Sequence, residues 1–160
     1  MSFWASVAQT VAAEFSDVGD AEQLTQVIVR TLMAAVLGGV IGFEREFHGK
    51  PAGIRTHMLV ALGSALVVLV PLQAGFGEDA MARVVQGLLA GIGFLCAGSI
   101  LKLEGEEHIR GLTTAAGLWM TTGIGLAAGM GRETTAVLST ALALVILALE
   151  RPLNRLRRHQ

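Results

Sequence analysis

Charged positions in this chain fall in short clusters, and between them run five apolar stretches, 31–43, 56–77, 84–101, 111–131 and 134–149. A helix crosses a hydrocarbon core in roughly 17–25 apolar residues at about 1.5 Å each. The middle three stretches reach that length unaided, and the outer two reach it when 24–31 and 151–153 join them. Ahead of them, Trp4, Val7, Ala8, Val11 and Phe15 recur at helical spacing, which lays an amphipathic helix along a bilayer surface. Asp17, Gly19 and Asp20 then interrupt or cap the chain. The pattern predicts an all-α, polytopic transmembrane helical bundle of about five membrane-spanning helices with a short amino-terminal interfacial helix. The expected organisation is an interfacial segment over 1–20, a transmembrane domain over 21–153 and a basic cytoplasmic tail over 154–160.

Composition agrees with lipid as the solvent. A hydrophobic share of 52%, a mean hydropathy of +0.60 and 20 glycines do not suit a soluble bundle, whose helices each need a polar face. No Lys or Arg precedes Arg30, so the amino end lacks the basic region of a secretory signal peptide. The net charge of −1 is uninformative, but its distribution sets an orientation. Arg45, Lys50, Arg55, Lys102, Arg110 and the tail's Arg151, Arg155, Arg157 and Arg158 fall on one side when hinges alternate. The other side receives Arg30, Arg83 and Arg132 among seven acidic residues: Glu14, Asp17, Asp20, Glu22, Glu78, Asp79 and Glu133. The expectation is a multi-pass inner-membrane protein with its amino end outside and its carboxyl end in the cytoplasm. The lone Cys96 lies inside an apolar stretch and reads as a buried filler.

Small residues recur every four positions: Gly38 and Gly42 in the first span, Gly87 and Gly91 in the third, Gly117, Thr121, Gly125 and Gly129 in the fourth. Such rows let a second backbone approach closely. They read as a helix-packing face or as a partner face, within one chain or at a homodimer seam. The Gly123, Gly125, Ala128 spacing imitates a dinucleotide fingerprint, but no strand precedes it. The sequence has no phosphate loop, nucleophile elbow or His-Glu-x-x-His zinc motif, so the chain is read as a non-enzyme without a required cofactor. No nucleic-acid partner is expected.

The polar residues gather at one level. Glu44 and Arg45 close the first span, Arg55, Thr56 and His57 open the second, and His108, Arg110, Thr113 and Thr114 lead into the fourth. Ionisable groups beside hydrocarbon pair with one another or reach water, so this cluster reads as a network tying the hairpins together or as a site for an ion or a partner's charge. Arg30 falls within the outer part of the first span, where it either snorkels or needs an acceptor such as Asp79 or Glu78. The loop Gly105, Glu106, Glu107, His108 reads as a solvated acidic loop or a site for a divalent cation such as magnesium. His48, His57 and His108 are candidates for acid sensing. Pro71 removes a donor to Val67 and predicts a bend in the second span.

The run Gly42-Phe43-Glu44-Arg45-Glu46, followed by Gly49-Lys50-Pro51-Ala52-Gly53-Ile54-Arg55-Thr56-His57 and Gly63-Ser64, resembles the signature of the MgtC/SapB family of small bacterial inner-membrane proteins. Gly91-Ile92-Gly93-Phe94-Leu95-Cys96-Ala97-Gly98 and Ile109-Arg110-Gly111-Leu112-Thr113-Thr114-Ala115-Ala116, with Leu118-Trp119, extend the match in order from about 30 to 151. The resemblance implies a polytopic membrane protein linked to magnesium limitation, acid stress and virulence. It further implies a regulator that binds the membrane sector of the F-type ATP synthase, and an older family label implies magnesium uptake. His108 stands where the best-known members carry an Asn associated with the synthase, Met120 stands where some carry Cys, and the chain reads as a short member lacking the cytosolic carboxyl-terminal domain.

The leading expectation is therefore a membrane regulator that engages another integral membrane protein, with a homo-oligomer left open. The alternative is a magnesium or other cation transporter or channel. Ionisable groups at the bilayer midplane mark transporters, and the middles of the last four spans offer only hydroxyls such as Ser64, Ser99 and Thr121.

Overall fold

The computed structural model describes residues 2–14, 19–100 and 110–149. They form six α-helices: α1 (Phe3–Glu14), α2 (Ala21–Phe47), α3 (Ile54–Gln73), α4 (Glu78–Ser99), α5 (Leu112–Gly129) and α6 (Glu133–Ala148). Among the described residues there is no strand, and the all-α bundle expected from the sequence is observed. The expectations placed on Lys102, on 104–109 with His108, and on the basic tail lie outside the described residues.

Local chemistry sets the helix ends. Asp20 accepts from the Gln23 N–H at 2.8 Å while the Gln23 amide oxygen accepts from the Gly19 N–H at 3.1 Å, a reciprocal cap that starts α2. Three helices stop in one way. Gly49, Gly75 and Gly131 take φ of +63°, +75° and +72°, and each donates back three residues while the next residue donates back five, as in Lys50 N–H to the Arg45 carbonyl at 3.0 Å. This left-handed closure satisfies the orphan carbonyls of the last turn and suits glycine, which has no Cβ to clash. Pro71 sits in the last turn of α3, where its carbonyl accepts from the Phe76 N–H within that closure.

α5 is the central helix. It touches α2, α3, α4 and α6, whereas α1 touches none of them among the described residues. The contacts run through missing side chains. A Cβ on Gly125 would run into the Ala61 carbonyl, one on Gly129 would lie 2.5 Å from the Ala65 carbonyl oxygen, one on Gly38 2.5 Å from the His57 carbonyl oxygen, and one on Gly42 2.6 Å from the Ile54 Cα. The core is correspondingly small in its residues: Ala34, Ala61, Ala65, Ala128 and Ala136 are fully buried beside Ile41 and Ile124. Large apolar side chains point outward, among them Leu32, Phe43, Leu59, Phe94 and Leu142. A bundle with small residues inside and large apolar ones outside is a lipid-solvated one, because packing rather than hydrophobic burial holds helices together there.

Three helices, α2, α3 and α4, are long and apolar enough to cross a membrane. α5 carries Thr and Gly where those carry Leu and Val, as suits a helix enclosed by others, and α6 has 16 described residues. The buried hydroxyls bond within their own helices: Thr121 to the Gly117 carbonyl at 2.9 Å, Thr122 to Leu118 at 3.1 Å, Thr140 to Ala136 at 2.8 Å and Ser64 to Val60 at 2.7 Å. Cys96 is half-buried, and its thiol donates to the Ala115 carbonyl at 3.3 Å, which ties α4 to α5.

Candidate functional site

The core-facing stripe of α2 runs Ala34, Gly38, Ile41, Arg45 at alternating steps of four and three, so helical periodicity alone turns Arg45 inward. Its guanidinium is 1% exposed. Opposite it α3 begins at Gly53, which has no capping side chain of its own. Glu46 supplies the cap from α2: its Oε2 accepts from the Ile54 N–H at 2.9 Å and lies against the Gly53 α-carbon. One turn further on, His57 is fully buried. Its Nδ1 lies 3.0 Å from the Gly53 carbonyl oxygen, which only accepts, so Nδ1 carries the proton and Nε2 presents a lone pair. That Nε2 faces Gly117 of α5, where a Cβ would stand 3.7 Å away, and it has no hydrogen-bond partner among the described residues.

Glu44 completes the centre. Its Oε1 lies 3.0 Å from His48 Nδ1, which also lies 2.6 Å from the Glu44 carbonyl oxygen, and its Oε2 lies 3.5 Å from an Arg45 terminal nitrogen. The charges of Arg45 and Glu44 both act on the His57 imidazole. Thr114, at the start of α5, is 3% exposed and brings the third helix to the same level. The arrangement holds one cation, one carboxylate and two imidazoles, His48 and His57, near the meeting of α2, α3 and α5, and two buried acceptor atoms, Glu44 Oε2 and His57 Nε2, accept no hydrogen bond among the described residues.

The predicted cluster thus divides. Glu44, Arg45, His57 and Thr114 turn inward, while Arg55, Thr56, Arg110 and Thr113 are exposed around them; His108 lies outside the described residues. Glu46 is the residue that pattern reading missed. The available signal was an acid ahead of a Gly-Lys-Pro turn leading into a helix whose first position lacks a capping side chain. Glu46→Ala is expected to lower stability by about 1 kcal/mol, the usual worth of a lost helix cap, whereas Glu46→Gln retains most of it. Unfolding of the detergent-solubilised variants followed by circular dichroism checks both values.

Of the two readings of the row Gly117, Thr121 and Gly125, packing within the chain is the one observed, since α3 occupies that face: Gly125 meets the Ala61 backbone and Thr121 is fully buried. Gly38, Gly42 and Gly129 are likewise consumed within the chain, whereas a Cβ on Gly87 or Gly91 of α4 would meet nothing within 4 Å. Arg30 was expected to snorkel or to pair with Glu78 or Asp79. Its guanidinium instead reaches the Gly129 carbonyl at 3.5 Å and packs against Gly131, at the carbonyl end of α5 where the helix dipole is negative. Among the described residues no three His, Cys, Asp or Glu side chains gather as a metal-ligand set.

Comparison with known proteins places this geometry among relatives. The family model described as MgtC family matches residues 31–156. SrpB of Synechococcus elongatus is 43% identical over 138 residues, covering 79% of this chain and 76% of that protein. MgtC of Brucella abortus is 43% identical over 120 residues, covering 75% of this chain and 49% of that protein. YhiD of Escherichia coli K12, whose name provisionally makes it a magnesium transporter, is 37% identical over 128 residues, covering 75% of this chain and 58% of that protein. The chain thus spans about half the length of the Brucella and Escherichia relatives. No solved structure matches the chain.

Proposed function

This chain belongs to the MgtC family of membrane proteins, and we propose that it is a non-enzymatic regulator of the bacterial inner membrane that acts by engaging another integral membrane protein. In this reading α2 to α6 all cross the bilayer, α1 lies on its surface with Phe3 and Trp4 toward lipid, the amino end is outside and the carboxyl end is cytoplasmic. The partner is the membrane sector of the F-type ATP synthase, and the setting is magnesium limitation and acid stress. No cofactor is required.

One observation carries the reading. The middle of the bundle is closed by backbone contact at Gly38, Gly125 and Gly129, and its buried hydroxyls are turned onto their own helices, while the ionisable groups of α2 and α3 concentrate at one end around Arg45 and His57. Among the described residues, such a molecule presents charge at a rim and packs small residues and self-bonded hydroxyls at its centre. Arg55, exposed beside the buried cluster, is the residue best placed to meet an acidic group of the partner.

Co-reconstitution with F-type ATP synthase tests it. ATP-driven proton pumping should fall when the wild-type chain is present and recover when Arg55→Ala replaces it, because that exposed substitution leaves the bundle intact. Equal inhibition by both chains, or none by either, would overturn the reading.

A second reading, a cation carrier, draws on the two buried acceptors that lack donors among the described residues, Glu44 Oε2 and His57 Nε2, and on the name given to the Escherichia relative. The donor set argues against magnesium, which takes oxygen ligands in near-octahedral geometry, and imidazole suits softer ions.

A further inference from the structure

At the other end of the bundle, opposite charges share a cavity without meeting. Arg30 lies fifteen positions before Arg45 on α2, or about 22 Å along the helix axis at 1.5 Å per residue. The two arginines therefore mark two levels separated by most of the roughly 30 Å thickness of a hydrocarbon core. Around Arg30, residues Thr25, Gln26, Val29, Gly131 and Glu133 line a cavity of about 220 Å³, several times the roughly 30 Å³ that one water occupies in the liquid. Arg30 and Glu133 are each half-buried, and among the described residues they do not close an ion pair with one another. The guanidinium is held aside by Gly131, whose missing Cβ leaves room for it, and by its long bond to the Gly129 carbonyl.

We propose that this cavity binds the headgroup of a zwitterionic phospholipid, phosphate on Arg30 and primary ammonium on Glu133. The charge arrangement selects the ligand. A guanidinium offers five donors in a planar fork that matches phosphate oxygens, and among the described residues one of them is engaged, at the limit of hydrogen-bond distance. The carboxylate across the cavity repels a second anion and attracts a cation, so a ligand carrying both signs a few ångströms apart satisfies both walls. Thr25 and Gln26 also line the cavity, with the Thr25 hydroxyl donating to the Ala21 carbonyl and the Gln26 amide to Glu22, which leaves their oxygens as acceptors for the ammonium. The position selects the source: a cavity at the level where hydrocarbon ends meets headgroups at far higher local concentration than any dissolved phosphate. The site stands apart from the Arg45 cluster and does not depend on the function proposed there.

Native mass spectrometry of the full chain in detergent, titrated with phosphatidylethanolamine, phosphatidylglycerol and free phosphoethanolamine, tests the assignment. The wild-type chain should retain phosphatidylethanolamine at least tenfold better than phosphatidylglycerol. Glu133→Gln, which alters no helix contact described above, should erase that preference while keeping phosphate binding. Arg30→Gln should weaken both lipids about tenfold, with circular dichroism verifying that α5 survives the loss of its carbonyl partner. Binding of free phosphoethanolamine as tight as that of the lipid would keep the chemistry and assign it to a soluble ligand. Equal retention of the two lipids by the wild type, or an unchanged preference in Glu133→Gln, would overturn the proposal.

Discussion

Gly125→Leu is expected to prevent the bundle from assembling. Gly125 lies where α5 crosses α3, and even a Cβ there would run into the Ala61 carbonyl. The obstacle is backbone, which cannot swing away as a side-chain tip does. Forcing extra carbons into a packed interior typically costs 1–3 kcal/mol and occasionally more. A whole leucine against a helix backbone belongs at the upper end, about 3 kcal/mol or more. Because α5 touches all four of the other long helices, its displacement loosens the whole core. The matched control is Gly91→Leu on α4. It belongs to the same kind of four-residue repeat, but a Cβ there meets nothing within 4 Å, so a change within about 0.5 kcal/mol is expected. Fluorescence-detected gel filtration after heating distinguishes them: Gly125→Leu should be lost or aggregated, and Gly91→Leu should elute with the wild type.

Arg45→Ala is expected to be nearly as damaging, for an electrostatic reason. The guanidinium is 1% exposed and lies 3.5 Å from the Glu44 carboxylate. Removing one member of a fully buried pair costs about 3–5 kcal/mol, because the charge left behind has lost its water and its partner. Here the group left behind is Glu44, half-buried and still 3.0 Å from His48 Nδ1, so a loss at the lower end, about 3 kcal/mol, is expected. The double variant Arg45→Met with Glu44→Gln removes both charges while keeping their volume, so it should recover most of the lost stability. Melting temperatures of the three proteins in one detergent check this order. A double variant as unstable as Arg45→Ala would mean that the arginine acts through some contact other than the pair.

The two substitutions also mark how far the sequence could be read. Helical spacing of Ala34, Gly38, Ile41 and Arg45 is visible in the letters, so the inward turn of Arg45 was legible, as was the level at which polar residues collect. The glycine rows were legible only as a capacity for close approach. Gly87 and Gly91 repeat just as Gly125 and Gly129 do, yet one row faces open space and the other meets α3, because a period identifies a face and not the helix that covers it. For Arg30 the sequence offers two readings, an outward snorkel or a carboxylate acceptor. The acceptor is the Gly129 carbonyl, and a backbone oxygen at a helix end leaves no trace in the pattern of side chains. Glu46 escaped for a similar reason: its reach to the Ile54 N–H eight residues on depends on the left-handed turn at Gly49 that folds the chain back.

The division of the polar cluster has a functional consequence. Half-buried Glu44 and buried Arg45 and His57 lie at the junction of α2, α3 and α5, and exposed Arg55, Thr56 and Thr113 surround it. Under the proposed reading, the rim side chains are positioned before a partner arrives, so less ordering is required on binding. Under the carrier reading, an ion would have to pass between helices whose backbones approach closely at Gly38, Gly125 and Gly129.

Magnesium entry into proteoliposomes carrying this chain alone, read with an internal dye under an imposed concentration gradient, tests most directly whether the bundle is closed and works at its rim. The account predicts uptake indistinguishable from empty liposomes, with or without a membrane potential. Uptake that rises with the amount of protein and disappears in Glu44→Gln would contradict it.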